Sequence, residues 1–275
     1  MKRAHAFAAF LAASMPGAIV AQPAAEAVVR EDVRALTEAD APALLALFDE
    51  NSVIFGLPDH PDRLAGPVSA RIGTHALRQS AFPAMLAGGP SDRMEIVDML
   101  SVGGVVVAKF RQSSPPDFAG GTWTLMVFRV RDGIIGEMYH LARTDRIDPT
   151  LEARGRAAVD RLVAANNRGD LEGFLGASAP DLRFFRTSTA PHALGDQPPR
   201  SGNDPAARRA AFTRMFAEGA PAQVEVTDVL TFNDYVVSLD VARLRDGRVL
   251  DEISIYRVGA DGRFTHDWLI YEQAR

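Results

Sequence analysis

The amino-acid sequence predicts an α+β protein made of two tandem copies of one domain. Three observations carry this. A length of 275 residues suits two domains of common size better than one large core. The chain matches itself at a shift of about 130 residues, too long a period for a solenoid. Within each copy, helical spacing comes first and a run of strands follows, the order expected when helices pack on one face of an antiparallel sheet.

The repeat is specific. Asp40 meets Asp170, Leu45 meets Leu175 and Phe55 meets Phe185 without a gap. Ala81-Phe82 falls on Ala211-Phe212, and Met85 on Met215. Met94-Glu-Ile-Val-Asp-Met-Leu100 then matches Val224-Glu-Val-Thr-Asp-Val-Leu230, with Val106-Val107 on Val236-Val237. After two residues are skipped, Phe128-Arg-Val130 matches Tyr256-Arg-Val258.

Helical spacing covers Val28 to Leu36 and Ala157 to Asn166. Each helix ends in a polar turn closing on Asp40 or Asp170, a good N-cap for a short second helix. Those helices run from Ala41 to Phe48 and from Leu171 to Gly176. Strands at Ser52 to Phe55 and Leu182 to Arg186 precede Pro-rich loops. Third helices span Ala76 to Leu86 and Ala206 to Phe216. Arg93 to Leu100 pairs with Val105 to Arg111 across Val102-Gly103-Gly104, and copy two has Phe232-Asn233-Asp234 at that turn. Terminal hairpins join Thr122–Val130 to Ile134–Leu141 and Leu250–Val258 to Arg263–Tyr271. The expected division is domain one at 22–145, a charged linker with Pro149 and Gly155 at 146–156, and domain two at 157–275.

Residues 1–21 read as an export signal: Lys2 and Arg3, an apolar core from Ala6 to Ala13, a break at Met15-Pro16-Gly17, and small Ala21 before Gln22. The apolar run is too short to span a bilayer, so the expected location is periplasmic or secreted, without a membrane anchor. The chain has no cysteine, which excludes disulfides, thiol nucleophiles and zinc–thiolate sites. A net charge of −5 without a basic run argues against nucleic acid as a partner.

The Gly169-Asp170 turn, the Val-x-Asp-x-Leu strand and the terminal hairpins carry a family resemblance. Those hairpins read Phe128-Arg-Val-Arg-Asp-Gly-Ile-Ile-Gly-Glu-Met-Tyr139 and Tyr256-Arg-Val-Gly-Ala-Asp-Gly-Arg-Phe-Thr-His-Asp-Trp268. The pattern resembles the NTF2-like superfamily, especially its SnoaL-like branch of polyketide cyclases and ketosteroid isomerase relatives. The resemblance implies two tandem cone-shaped domains, each a curved, mostly antiparallel sheet wrapped around about three helices and enclosing an apolar pocket. This fold hosts enzymes and binding modules alike, so function must be argued from the site.

The resemblance places the isomerase base after the first strand, just before a proline. That stretch is Phe55-Gly56-Leu57-Pro58 in copy one and Phe185-Arg186-Thr187 in copy two, with no carboxylate in either. The tyrosine expected on the first helix falls near Asp32 and Leu162. The cyclase-like branch has an acid near the end of the last strand, where copy two has Glu272 and copy one Arg143. Glu272 could be a buried base, although acids so near a terminus are usually exposed.

His266 and Asp267 are strand neighbours and point to opposite faces. His266, Trp268 and Ile270 should share one face, and Asp267, Leu269 and Tyr271 the other. His140 shares a face with Met138. A strand histidine is more often structural than catalytic. Asp98 and Asp228 recur at one position in both copies, on a strand face otherwise apolar (Met94, Ile96, Leu100; Val224, Val226, Leu230), which fits a structural role better than a buried base. The candidate catalytic set is therefore His266, Asp228, Glu272, Asp98 and His140.

Trp123, Phe128, Tyr139, Tyr256 and Trp268 are candidates for lining a pocket, although strand aromatics are mostly core. No cofactor is implied, and His60, His75 and His192 lack metal-ligand spacing. The reading is an exported tandem protein that binds a small apolar ligand without the family's isomerase groups. The alternative is a metal-free acid–base lyase, isomerase or cyclase acting in domain two. Relatives dimerise through their sheets, so the two domains are expected to form an intramolecular pseudo-dimer.

Overall fold

The computed structural model describes residues 22–87, 93–113, 121–186 and 204–274. The expected export signal at 1–21 and His192 lie outside these residues. Copy one contains α1 (Gln22–Thr37), α2 (Ala41–Ala46), β1 (Val53–Phe55), α3 (His75–Leu86), β2 (Arg93–Val102), β3 (Val105–Ser113), β4 (Thr122–Arg131) and β5 (Ile134–Thr144). Copy two contains α4 (Pro149–Asn167), α5 (Leu171–Gly176), β6 (Ser178–Arg186), α6 (Pro205–Phe216), β7 (Ala222–Phe232), β8 (Tyr235–Leu244), β9 (Val249–Val258) and β10 (Phe264–Ala274). The two sheets have equivalent orders, β1-β5-β4-β3-β2 and β6-β10-β9-β8-β7. Only the first pair of each is parallel. Each sheet remains open, and the fold is the tandem α+β architecture the repeat predicts.

Most of the stretch read as a linker is helical. Pro149 occupies the first turn of α4, where its missing N–H costs nothing. The Asp148 side chain accepts from Thr150 N at 2.8 Å. Residues 149–156 therefore open the first helix of copy two.

Each sheet buries both faces. On one face of the first sheet lie the copy-one helices, with Val29, Leu44, Phe48, Phe82, Phe110, Phe128 and Met138 in one cluster. The matching face of the second sheet packs Ala158 and Val159 of α4 against Val236, Tyr256 and Phe264. The helix-free faces share a third cluster, which joins Val107, Leu125, Val127 and Leu141 to Leu230, Val237, Ile253 and Ile255. Equivalent aromatic pairs sit within it: Phe55 stacks on Tyr139 at 4.7 Å and Phe185 on Trp268 at 5.4 Å. Such pairs add about 0.5–1.5 kcal/mol beyond their burial.

Polar contacts also cross between the copies. Lys109 Nζ lies 2.6 Å from Glu152 Oε1 and donates to Thr231 O at 3.1 Å. Asp62 accepts from Arg183 at 2.8 Å.

The duplication extends to a buried cation that sequence matching did not single out. Arg78 on α3 and Arg208 on α6 occupy equivalent positions and are 0% and 8% exposed. Arg78 donates to Gly73 O and Asp49 O, and Arg208 to the carbonyls of Ala179, Pro180 and Leu182. A guanidinium suits this use because it offers five donors in a rigid fork. Each one ties the third helix to backbone near the first strand.

The short helices begin as predicted, with Asp40 accepting from Ala43 N at 3.0 Å and Asp170 from Gly173 N at 2.9 Å. The residue before each cap is left-handed: Gly169 at φ +69° in copy two, but Ala39 at φ +58° in copy one. An L-residue with a Cβ is strained in that region, and glycine is not. Ala39→Gly is expected to raise stability by about 1 kcal/mol, read from the midpoint of urea denaturation. A loss of stability would contradict the assigned backbone.

Candidate functional site on the helix side of the second sheet

Residues paired directly across strands point to the same face, so the register lays out the helix side of the second sheet rung by rung. One rung runs Val236, Tyr256, Asp267 and Phe184 across β8, β9, β10 and β6. The next holds Ser238, Ser254 and Leu269, and the third Asp240, Glu252 and Glu272. Seven polar or ionisable side chains thus fall on the helix side of this sheet, Glu272 at its exposed end.

Copy one has apolar groups at most of these places. Its register pairs Val106 with Phe128 and Phe128 with Met138, then Ala108 with Met126, then Phe110 with Thr124. Tyr256 therefore replaces Phe128, Asp267 replaces Met138, Ser238 and Ser254 replace Ala108 and Met126, and Asp240 replaces Phe110. The first face is filled by its own side chains, with Phe110 and Phe128 meeting edge to face at 5.9 Å.

The polar groups of copy two are connected. Ser238 Oγ donates to Asp240 Oδ2 at 2.7 Å. Ser254 and Ser238 also lie close enough to the Tyr256 phenol to favour its ionised form, against the stronger effect of burial. Two oxygens remain buried without a hydrogen-bond partner, Asp240 Oδ1 and Asp267 Oδ1. Buried orphans of this kind are costly and call for a polar guest or a role in chemistry.

Burial raises both acids. It pushes Asp240 up to about 6, against the pull of the Ser238 hydrogen bond. Asp267 is held well above the usual carboxylate range, first by burial and then by the neighbouring charges of Glu252 and Asp240. Tyr256 is likewise raised well above an ordinary phenol, by burial first and then by Asp267 and Asp240. Near neutral pH, Asp240 is mostly an acceptor, and burial favours the protonated forms of Asp267 and Tyr256.

The structure distributes the sequence candidates widely. His266 lies on the face opposite Asp267, stacked on Trp268 at 5.0 Å and 3.2 Å from Asp62 of copy one. Burial lowers its basicity more than Asp62 restores it. His140 pairs in register with Met126, bonds Phe55 O through Nδ1 at 2.9 Å, and is also made less basic by burial.

Asp98 and Asp228 do not share the face of Ile96 and Val226, because β-bulges shift the register after each and carry the acid to the other side. They pair instead with Lys109 and Leu239. Asp98 is raised mainly by burial, with a contribution from the charge of Asp228. A bulge after Leu269 likewise takes Tyr271 off the Asp267 face and against the shared cluster. Glu272 is exposed and shares the rung of Glu252 and Asp240.

Of the aromatics, Tyr256 is on the polar face. Phe128 is buried in the copy-one core. Tyr139, Trp268 and Trp123 belong to or pack against the cluster between the sheets. Asp240, Ser238, Ser254, Glu252 and Asp267 lie outside the candidate set that the sequence suggests. A usable signal was present: Ser-x-Asp and Ser-x-Tyr stand where the aligned copy has Ala-x-Phe and Met-x-Phe. Among the described residues, no three His, Cys, Asp or Glu side chains are grouped to hold a metal ion.

The raised Asp240 has a signed consequence. Its folded value of about 6 exceeds the ordinary 3.8, so the folded state binds the extra proton and stability is lost as pH rises between about 4 and 6. Asp240→Asn removes that loss. Its stability relative to the unmodified chain is expected to climb by roughly 3 kcal/mol across this window and then level off. Urea denaturation at a series of pH values reads the difference, and parallel curves would refute the assignment.

The geometry can be set beside known proteins. The sequence pattern of the SnoaL-like domain matches residues 29–138 and again 159–266. Similar solved structures include Delta 5-3-ketosteroid isomerase from Mycobacterium sp., 20% identical, with 44% of this chain on 98% of that one and a TM-score of 0.32. A putative polyketide cyclase from Sinorhizobium meliloti is 17% identical over 42% of this chain and 93% of its own, with a TM-score of 0.32. An NTF-2 like protein of unknown function from Burkholderia xenovorans LB400 is 18% identical over 45% and 86%, with a TM-score of 0.35. Against curated proteins, the chain finds no match. With both copies matched over most of their length, this chain belongs to the SnoaL-like domain family, as a tandem pair.

Proposed function

We propose that copy two is a metal-free acid–base catalyst acting on an apolar compound that carries a carbonyl group. The observation that supports this most is a pair of buried carboxyls on one face, Asp240 raised to about 6 and Asp267 raised well above the usual carboxylate range, each with an unpartnered oxygen. Environments that push paired acids apart are how a fold assigns a base and an acid at one pH. In this reading, Asp240 removes a proton from the carbon beside the carbonyl, and the electron pair moves onto the carbonyl oxygen. Protonated Asp267 and the Tyr256 phenol hydrogen-bond that oxygen as its charge grows. The proton then returns from Asp240 to the same carbon or a conjugated one. Copy one, apolar at most of the matching positions, serves as scaffold.

A second reading is binding without turnover. It is supported by the two unpartnered oxygens, which would be satisfied by a polar group on a retained ligand whether or not chemistry followed. A panel of enones, epoxides and lactones separates the two readings. The catalytic reading expects turnover of at least one class, reduced about 10²–10⁴-fold by Asp240→Asn or Asp267→Asn. It expects no change on His140→Gln or Asp98→Asn. A ligand that co-purifies and survives the panel unchanged would favour binding alone.

We further infer export to the periplasm or medium, from the character of residues 1–21, and an intramolecular pseudo-dimer. The cluster shared by the two sheets supports the latter. Light scattering should then give the mass of one chain. A stable dimer of chains that buries the same sheet faces would count against it.

A further inference from the structure

A cleft of about 340 Å³ lies on copy two, lined by Arg154, Arg161 and Arg263 together with Ala177, Asp261 and Gly262. It belongs to neither reading above. Arg154 and Arg161 are seven residues apart on α4, two helical turns, and so project on one side. The β9–β10 turn lies against them because Gly262 adopts φ +77°, and Arg161 Nη2 donates to Gly262 O at 2.7 Å. Arg263 Nε lies 3.4 Å from Asp261 Oδ2. Arg154 forms no ion pair among the described residues.

Three guanidiniums thus surround one concavity that contains a single carboxylate. Gathering like charges is unfavourable, and the fold does not require it. The equivalent positions of copy one are Ala24, Glu31 and Ile134. Exposed arginines scattered over a surface would need no explanation, but three arginines converging on one cleft form an electrostatic trap for negative charge. Their planar forks match the paired oxygens of phosphate or carboxylate.

We propose that this cleft binds the oxyanion group of a small anionic molecule, a phosphate or a carboxylate, with Arg154 and Arg263 as its principal donors. Arg161 holds the turn through Gly262 O and so preserves the shape of the cleft.

Isothermal titration calorimetry on the full chain at low salt, with inorganic phosphate in one arm and citrate in the other, tests this. Saturable one-site binding of either probe supports the proposal, and the tighter probe identifies the chemistry. Arg154→Gln and Arg263→Gln should each weaken that binding by about tenfold or more. Arg248→Gln, an arginine outside the cleft, should leave it unchanged. Thermal melts without probe control for folding, and Arg154→Gln should melt with the unmodified chain. No saturable binding of either probe, or equal affinity in the Arg154→Gln and Arg263→Gln variants, would overturn it.

Discussion

The packing of two helix-free sheet faces against each other is the constraint on which the rest of the molecule depends. Val107, Val127, Val237 and Ile255 are each 0% exposed in that shared core. Since strand side chains alternate, committing one face to the neighbouring sheet commits the other to the helices. No strand of either copy can slip by one residue without turning its core residues to the wrong side. The paired aromatics Phe55–Tyr139 and Phe185–Trp268 repeat this arrangement in each half. Lys109, Asp62 and Glu152 add polar contacts across the same boundary, and the Asp62 loop reaches His266 and Arg183 of the other copy.

With the shared core held constant, the helix-side faces were free to diverge, and they did so in opposite directions. Copy one packs Phe110, Phe128, Met126 and Met138 there, leaving Asp32 on α1 as a lone buried acid pushed up to about 7 by its surroundings. Copy two places Asp240, Ser238, Ser254, Tyr256 and Asp267 at the corresponding sites, and its first helix has Leu162 in place of Asp32. Burying so many polar groups is unfavourable unless they are satisfied. Ser238, which donates to Asp240, satisfies part of that demand. The cost that remains sits on two carboxyl oxygens. Copy one keeps one such oxygen, Asp32 Oδ2, but fills most of the matching strand positions with carbon.

Much of the fold was legible in the chain because its determinants are local. The caps at Asp40 and Asp170, the glycine turns and the alternation of Val and Ile each act over a few residues, and the duplication doubled every signal. The site was much less legible. His266 and Asp98 drew attention as isolated polar residues on strands, yet both lie on the side facing the other copy. For Asp98 and Asp228 the cause is a β-bulge, which adds a residue to one strand and reverses the alternation beyond it. Tyr271 left the Asp267 face for the same reason. Asp240 and Ser238 were overlooked because a polar residue within a strand reads as solvent-facing until its covering helix is known.

The class of fold, the tandem repeat, the separation of His266 and Asp267 onto opposite faces, and the exclusion of thiol chemistry are all set by the order of residues along the chain. Those follow from composition and from periods of two and 3.6 residues, which need no partner to be read. Which face meets helices, which meets the other copy, and where three arginines line one cleft depend on long-range packing. So does the raised proton affinity of Asp240 and Asp267. A carboxyl's affinity for a proton depends on the water and charge around it, and neither is specified until distant strands and helices have closed over the group.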